Sequence, residues 1–133
     1  MKRKIKPGSA KDKGRRLQTY ICQKISELTG YSWGRSGEDQ PIESRPMGQS
    51  GPDVRMESQV RELFPYAVEC KWCETWEVPK WIKQARDNAG ENEDWLLFMR
   101  RNRMTPYAVV VMDAETFFRL QEKALNGNGP VVV

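Results

Sequence analysis

The heptapeptide Tyr66-Ala67-Val68-Glu69-Cys70-Lys71-Trp72 is rich in β-formers and follows Pro65, so it predicts a strand. Side chains alternate along a strand, which sends Glu69 and Lys71 to one face and Val68, Cys70 and Trp72 to the other, into a core. That alternation accounts for the one-residue spacer between acid and amine. Sixteen residues upstream of Glu69 stands Asp53, in Gly51-Pro52-Asp53-Val54-Arg55-Met56. This segment predicts a second strand entered through a Gly-Pro turn, with Asp53 at its start. If the two strands pair as neighbours, Asp53 and Glu69 can share one cation. Carboxylate oxygens are hard ligands and suit Mg2+ or Mn2+ rather than zinc. Such a metal polarises a phosphoryl oxygen and activates a bound water, while the ammonium of Lys71 stabilises developing negative charge or orients that water. Phosphodiester cleavage is the leading expectation. As a bare pattern the match is common, because charged residues make up about 25% of ordinary sequence.

Composition narrows the alternatives. A chain of 133 residues is one domain with room for a real core. No stretch is long or apolar enough to cross a membrane and the N-terminus has no apolar run, so the expected partner is not a membrane and the expected location is the cytoplasm. Three cysteines, an odd number, fit reduced thiols. Cys70-x-x-Cys73 has no second cysteine pair and the chain has no histidine, so a zinc site is not completed. The lack of histidine also excludes Ser-His and Cys-His hydrolases and any histidine general base.

Net charge is +4, unevenly spread. Lys2, Arg3, Lys4, Lys6, Lys11, Lys13, Arg15 and Arg16 are opposed only by Asp12, which gives +7 over the first sixteen residues and −3 over the remainder. Residues 1–12 therefore read as a basic, flexible arm that follows a phosphate backbone, or as a solubilising tail; either way the arm identifies a polyanion and no chemistry.

Residues 13–125 read as a single domain and 126–133 as a tail. Leu17, Ile21, Ile25 and Leu28 recur at helical spacing and Gly30 follows, predicting a helix over about 13–29. From Ser32 to Gly51 the chain is a polar loop in which Arg35, Ser36, Arg45 and Ser50 are either substrate contacts or ordinary solvated residues. Pro79 opens a second helix to about Ala89, with Trp81, Ile82 and Ala85 inward and Lys80, Lys83 and Arg86 outward. Trp95–Met99 and Tyr107–Met112 are apolar strands joined by a basic turn, and Asp113 caps a last helix carrying Phe117, Phe118 and Leu120. The expected architecture is α/β, roughly αβββαββα, a central mixed sheet flanked by helices. Trp72, Trp76 and Trp81 cluster after the Glu-x-Lys strand, where indoles are core, base-stacking or interface residues.

The order Lys13-Gly14-Arg15-Arg16-Leu17-Gln18, Arg35-Ser36-Gly37, Gly51-Pro52-Asp53-Val54, Val68-Glu69-Cys70-Lys71 and Trp81-Ile82-Lys83-Gln84-Ala85 resembles the PD-(D/E)xK nuclease superfamily. Within it, the pattern is similar to the small Holliday-junction resolvase-like endonucleases of archaea and phages. The likeness covers about residues 11–121, with the central motif its specific part. It implies a restriction-endonuclease-like fold, metal binding by Asp53, Glu69 and the backbone carbonyl of Cys70, and catalysis with Lys71. It places Gln18 where the resolvase pattern has glutamate, keeping a carbonyl oxygen but not the charge, which bears on a second metal. It further implies Mg2+ as cofactor with Mn2+ able to substitute, DNA contacts from Lys11, Lys13, Arg15, Arg16, Arg35, Ser36, Arg45 and Gln84, and a homodimer acting on four-way junctions, in the host cytoplasm if phage-encoded. Nicking, flap or restriction-like cleavage is the rival within enzymes; a non-catalytic nucleic-acid-binding protein is the rival outside them.

Overall fold

Leu17, Ile21, Cys22 and Ile25 give the first helix one apolar stripe, and all four are buried in α1 (Ser9–Thr29). Leu28, which continues the same spacing, is 71% exposed. It sits in the last turn, just before Gly30 (φ +83) ends the helix with its N–H donated to the Ser26 carbonyl at 2.8 Å. The computed structural model describes residues 9–46 and 50–127. Residues 1–8, most of the expected basic arm, and residues 128–133, most of the expected tail, lie outside that description. Helix α1 begins at Ser9, so Lys11 is helical.

Two three-stranded sheets follow, where a single central sheet is the sequence expectation. The first has β1 (Trp33–Arg35) parallel to β2 (Ile42–Ser44), and β2 antiparallel to β3 (Val54–Met56). Strands β1 and β2 lie in the segment that reads as a polar loop. At three residues each they are too short for alternation to show, and β2 carries a buried acid where a core strand would carry an aliphatic residue. That acid is Glu43, 7% exposed, whose Oε1 accepts from Arg55 Nε at 2.9 Å across the β2–β3 ladder. The guanidinium holds the Glu43 carboxyl below the usual carboxylate range, and Arg55 also donates to the Gln40 carbonyl. Arg55 is part-exposed and keeps its bond to Gln40, so Glu43→Ala is expected to lower stability by only about 0.5–1.5 kcal/mol in urea unfolding; a change within error would mean that the pair contributes nothing net.

A short helix, α2 (Ser58–Leu63), separates the sheets. The second sheet pairs β4 (Tyr66–Trp72) in parallel with β5 (Asp94–Arg100), across the connecting helix α3 (Val78–Asn88), and β5 antiparallel with β6 (Val109–Val111). The order is thus αβββαβαββα, one strand and one short helix more than expected. The sheet carries a core on each face. Val68 and Cys70 pack with α1, Ile42, Val54 and Val60, whereas Leu97 and Met99 pack with Trp81 of α3. Trp81 and Ala85 are buried as the spacing predicts.

Helix α4 (Ala114–Gly127) is pinned at its start, with Asp113 Oδ1 accepting from the Glu115 N–H at 2.8 Å and Arg119 making two 2.9 Å bonds to Asp94. Thr116 is its buried residue, and Phe117, Phe118, Leu120 and Leu125 are exposed.

Candidate functional site

Asp53 reaches the second sheet because the chain turns sharply just before it. Gly51 has φ +95, a conformation open chiefly to glycine, and a Cβ there would stand 3.1 Å from Arg45 Nη1. Pro52 then feeds Asp53 alongside β4. The Asp53 N–H donates to the Val68 carbonyl at 2.8 Å, its carbonyl accepts from the Arg45 N–H at 2.8 Å, and its Oδ2 accepts from the Cys70 N–H at 2.7 Å. The expected pairing of the two strands does not occur, since β3 and β4 belong to different sheets; Asp53 comes beside β4 through its own backbone and side-chain hydrogen bonds instead.

Glu69 is 6% exposed and its Oε2 accepts from Asn88 Nδ2 at 3.1 Å. Lys71 Nζ is 3.9 Å from Glu69 Oε1 and 6.0 Å from the centre of the Trp81 ring. Asp53, Glu69 and Lys71 line one cleft of about 580 Å³, walled by Lys11 and Gly14 of α1, Ser50 and Gly51, and Gln84 and Asn88 of α3. Burial, with the charge of Glu69 added, pushes the Asp53 carboxyl up from 3.8 to about 7; the Cys70 N–H and the cations Lys71 and Arg45 oppose that rise.

This has a consequence for stability. A carboxyl whose pKa is higher folded than unfolded holds its proton more tightly in the native state, so its contribution is intact below pH 3.8 and is lost as pH rises to about 7. The metal-free protein is expected to lose several degrees of melting temperature across that window, and Asp53→Asn to abolish much of the loss. A flat profile in the unaltered protein would contradict the assigned environment.

The same pressure tests whether a cation fits. Among the described residues no three His, Cys, Asp or Glu side chains come together, so a cation would be held by two carboxylates, with backbone, water or substrate oxygens completing its shell. Two buried acids in one cleft, one of them resisting ionisation, form a hard-oxygen donor set that a divalent ion relieves, and the fit holds. The two buried thiols do not compete: burial pushes Cys22 up to about 12 and Cys70 well above the usual thiol range.

The remaining predicted residues divide by position. Gln18 is 2% exposed within the buried face of α1 and does not line the cleft; Gly14, one turn earlier, does. Gln84 lines the cleft, and its buried Oε1 has no hydrogen-bond partner among the described residues. Arg45 adjoins Asp53 and donates to the Ser50 carbonyl at 2.8 Å. Lys13 and Arg16 line a basin next to the cleft, and Arg15, Arg16 and Arg35 line another with Tyr20 and Tyr107. Ser36 is exposed in the turn after β1, outside the cleft. Asn88 was not foreseen. Its signal is its place four residues after Gln84 on a helix, which sets both amides on one face.

Residues 9–128 match the family model described as "Phage putative PDDEXK endonuclease". No curated protein and no solved structure matches the chain. With the match spanning most of its length, the chain belongs to this phage PDDEXK endonuclease family, a nuclease family whose substrate is DNA and whose members generally use divalent metals.

Proposed function

We propose that this family member is a Mg2+-dependent DNA endonuclease, with Mn2+ able to substitute, that acts as a homodimer on four-way junctions. The observation that carries the chemistry is the convergence of Asp53, Glu69 and Lys71 in one cleft, from a turn and a strand that meet through the Asp53–Cys70 hydrogen bond. Asp53 and Glu69, with the Cys70 carbonyl, would hold the cation, which when bound supplies Lewis-acid polarisation of the phosphate and an acidified water.

The chain's own residues supply positioning and charge. The Cys70 N–H fixes one Asp53 oxygen and the Asn88 amide fixes one Glu69 oxygen, so neither carboxylate has to reorganise during the reaction. Lys71 brings a positive charge to the same cleft, where it stabilises negative charge developing on the phosphate oxygens. The free Oε1 of Gln84 is an acceptor for the attacking water or for Lys71. Gln18 is buried and neutral, so two negative charges serve the cleft, which suits one divalent cation.

Junction preference and dimerisation rest on the resolvase-like pattern of the sequence. The exposed apolar side chains Leu28, Leu63, Val110, Phe118 and Leu125 support dimerisation by offering surface for a second copy. The test is cleavage of junction, flap and linear duplex in Mg2+ and in EDTA. Junction cleavage that EDTA abolishes is expected; no metal-dependent cleavage of any of the three would overturn the reading in favour of a non-catalytic DNA-binding protein.

A further inference from the structure

Trp72, at the end of β4, lines the active-site cleft and also a second basin of about 500 Å³. Lys13 and Arg16 of α1, Arg100 at the end of β5 and Arg103 of the β5–β6 turn bring four cations to this basin against one carboxylate, Glu74. That carboxylate is already engaged, since its Oε2 accepts from the Asn102 N–H at 2.8 Å. Asn102 in turn accepts from Trp72 Nε1 at 2.8 Å, which ties the turn to the end of the catalytic strand.

The guanidinium carbons of Arg16 and Arg100 lie 5.2 and 4.7 Å from the Trp72 ring centre. An indole stacked by guanidinium groups is not a free platform for a base. Stacking instead holds the guanidinium plane, and for the exposed Arg16 it leaves the N–H edge for an anion. Arg100 also stacks on Tyr107 at 3.9 Å and donates Nη1 to the carbonyls of Met104 and Tyr107, while its buried Nε has no partner among the described residues. Two stacked guanidinium groups and two further cations outnumber one hydrogen-bonded acid in a basin that shares a wall with the cleft, which suits a phosphate on the strand that occupies the cleft.

We propose that the Lys13–Arg16–Arg100–Arg103 basin binds an internal backbone phosphate adjacent to the scissile one, and so sets the path by which the cut strand leaves the active site. The proposal rests on the endonuclease reading and adds to it a subsite centred on Trp72, the end of β5 and the turn that follows it.

The test is a phosphate-neutralisation cycle in the Asp53→Asn background with Mg2+. Arg16→Ala keeps a good helix former on an exposed turn, and Arg103→Asn suits a residue at φ +57, where asparagine is tolerated. Each variant is expected to weaken DNA binding at least about threefold and to flatten the slope of log affinity against log salt by about 0.9. Single methylphosphonates are then stepped away from the cut site. At one position the neutral linkage should cost the parent about what Arg103→Asn costs, and the two losses should not add. Unchanged affinity and slope in both variants, or additive losses at every position, would overturn the subsite. A loss confined to 5′-phosphorylated oligonucleotides would overturn it too, by assigning the basin to a strand end. Failure of metal-dependent cleavage in the unaltered protein, with affinity and salt slope still lowered in both variants, would remove the nuclease reading and leave the basin only as a backbone-phosphate site with no scissile neighbour; cleavage with both variants unchanged would remove the subsite alone.

Discussion

Asp53→Asn, Glu69→Gln and Lys71→Ala are each expected to lower metal-dependent cleavage by at least about 10²–10³-fold, the scale on which removal of one positioned charge acts on a phosphate or oxyanion. Fold and DNA affinity should be largely retained. The three variants are not equivalent, and their differences carry the information. Asp53 resists ionisation in the metal-free fold, so Asp53→Asn should leave the metal-free protein as stable as before or more stable at pH 8 while abolishing cleavage. Glu69 is tied to Asn88, and an amide at position 69 still accepts that bond, so Glu69→Gln tests the charge with the geometry kept. Lys71 stands beside Glu69 and Trp81, and its removal should leave metal affinity closer to normal than either acid change does. Calorimetric titration with Mn2+ and single-turnover cleavage of a labelled junction check all three. Full Mg2+-dependent activity in Asp53→Asn would refute the site.

Glu69 and Lys71 were legible because a strand has period two and the acid and amine are two residues apart; no tertiary information is needed to put them on one face. Trp81 and Ala85 were legible for the corresponding helical reason. Asp53 was legible to within one residue as the start of a strand, which begins at Val54, but its clamp to β4 was not. That clamp depends on a side-chain oxygen reaching a backbone N–H seventeen residues away, which leaves no trace in local pattern. Strand β2 was illegible for a different reason. Glu43 lies in what reads as a polar loop until Arg55 is seen opposite it, and a buried acid with a half-buried partner inverts the hydrophobic signal on which strand recognition relies. The 100–103 turn was visible as a basic run, yet only the fold brings it to Trp72 and to Arg16, 84 residues from Arg100 along the chain.

A junction is resolved by two cuts placed symmetrically about its crossover, and one 15.5 kDa chain carries one Asp53-Glu69-Lys71 set, so two chains related by a two-fold axis are the simplest sufficient assembly. The expected result is a homodimer by light scattering that binds a four-way junction at least about tenfold more tightly than linear duplex of equal length, a difference of about 1.4 kcal/mol. The preference should survive scrambling of the arm sequences, because a shape reader contacts backbone and geometry rather than base edges. Mixing unaltered protein with tagged Asp53→Asn makes the stoichiometry visible. A dimer with one live cleft should nick one strand and leave its opposite intact, so nicked junction should accumulate in proportion to the mixed species while resolved product falls with the square of the live fraction. Substituting Phe118 or Leu125 by a charged residue tests the surface, since both are exposed in the single chain and cost little there. If either change yields a monomer that still nicks but no longer makes paired cuts, dimerisation and chemistry separate as expected. Equal cleavage of junction and linear duplex at matched salt, or a monomer that cuts both strands at once, would turn the substrate assignment toward a nicking or restriction-like enzyme while leaving the metal cleft untouched.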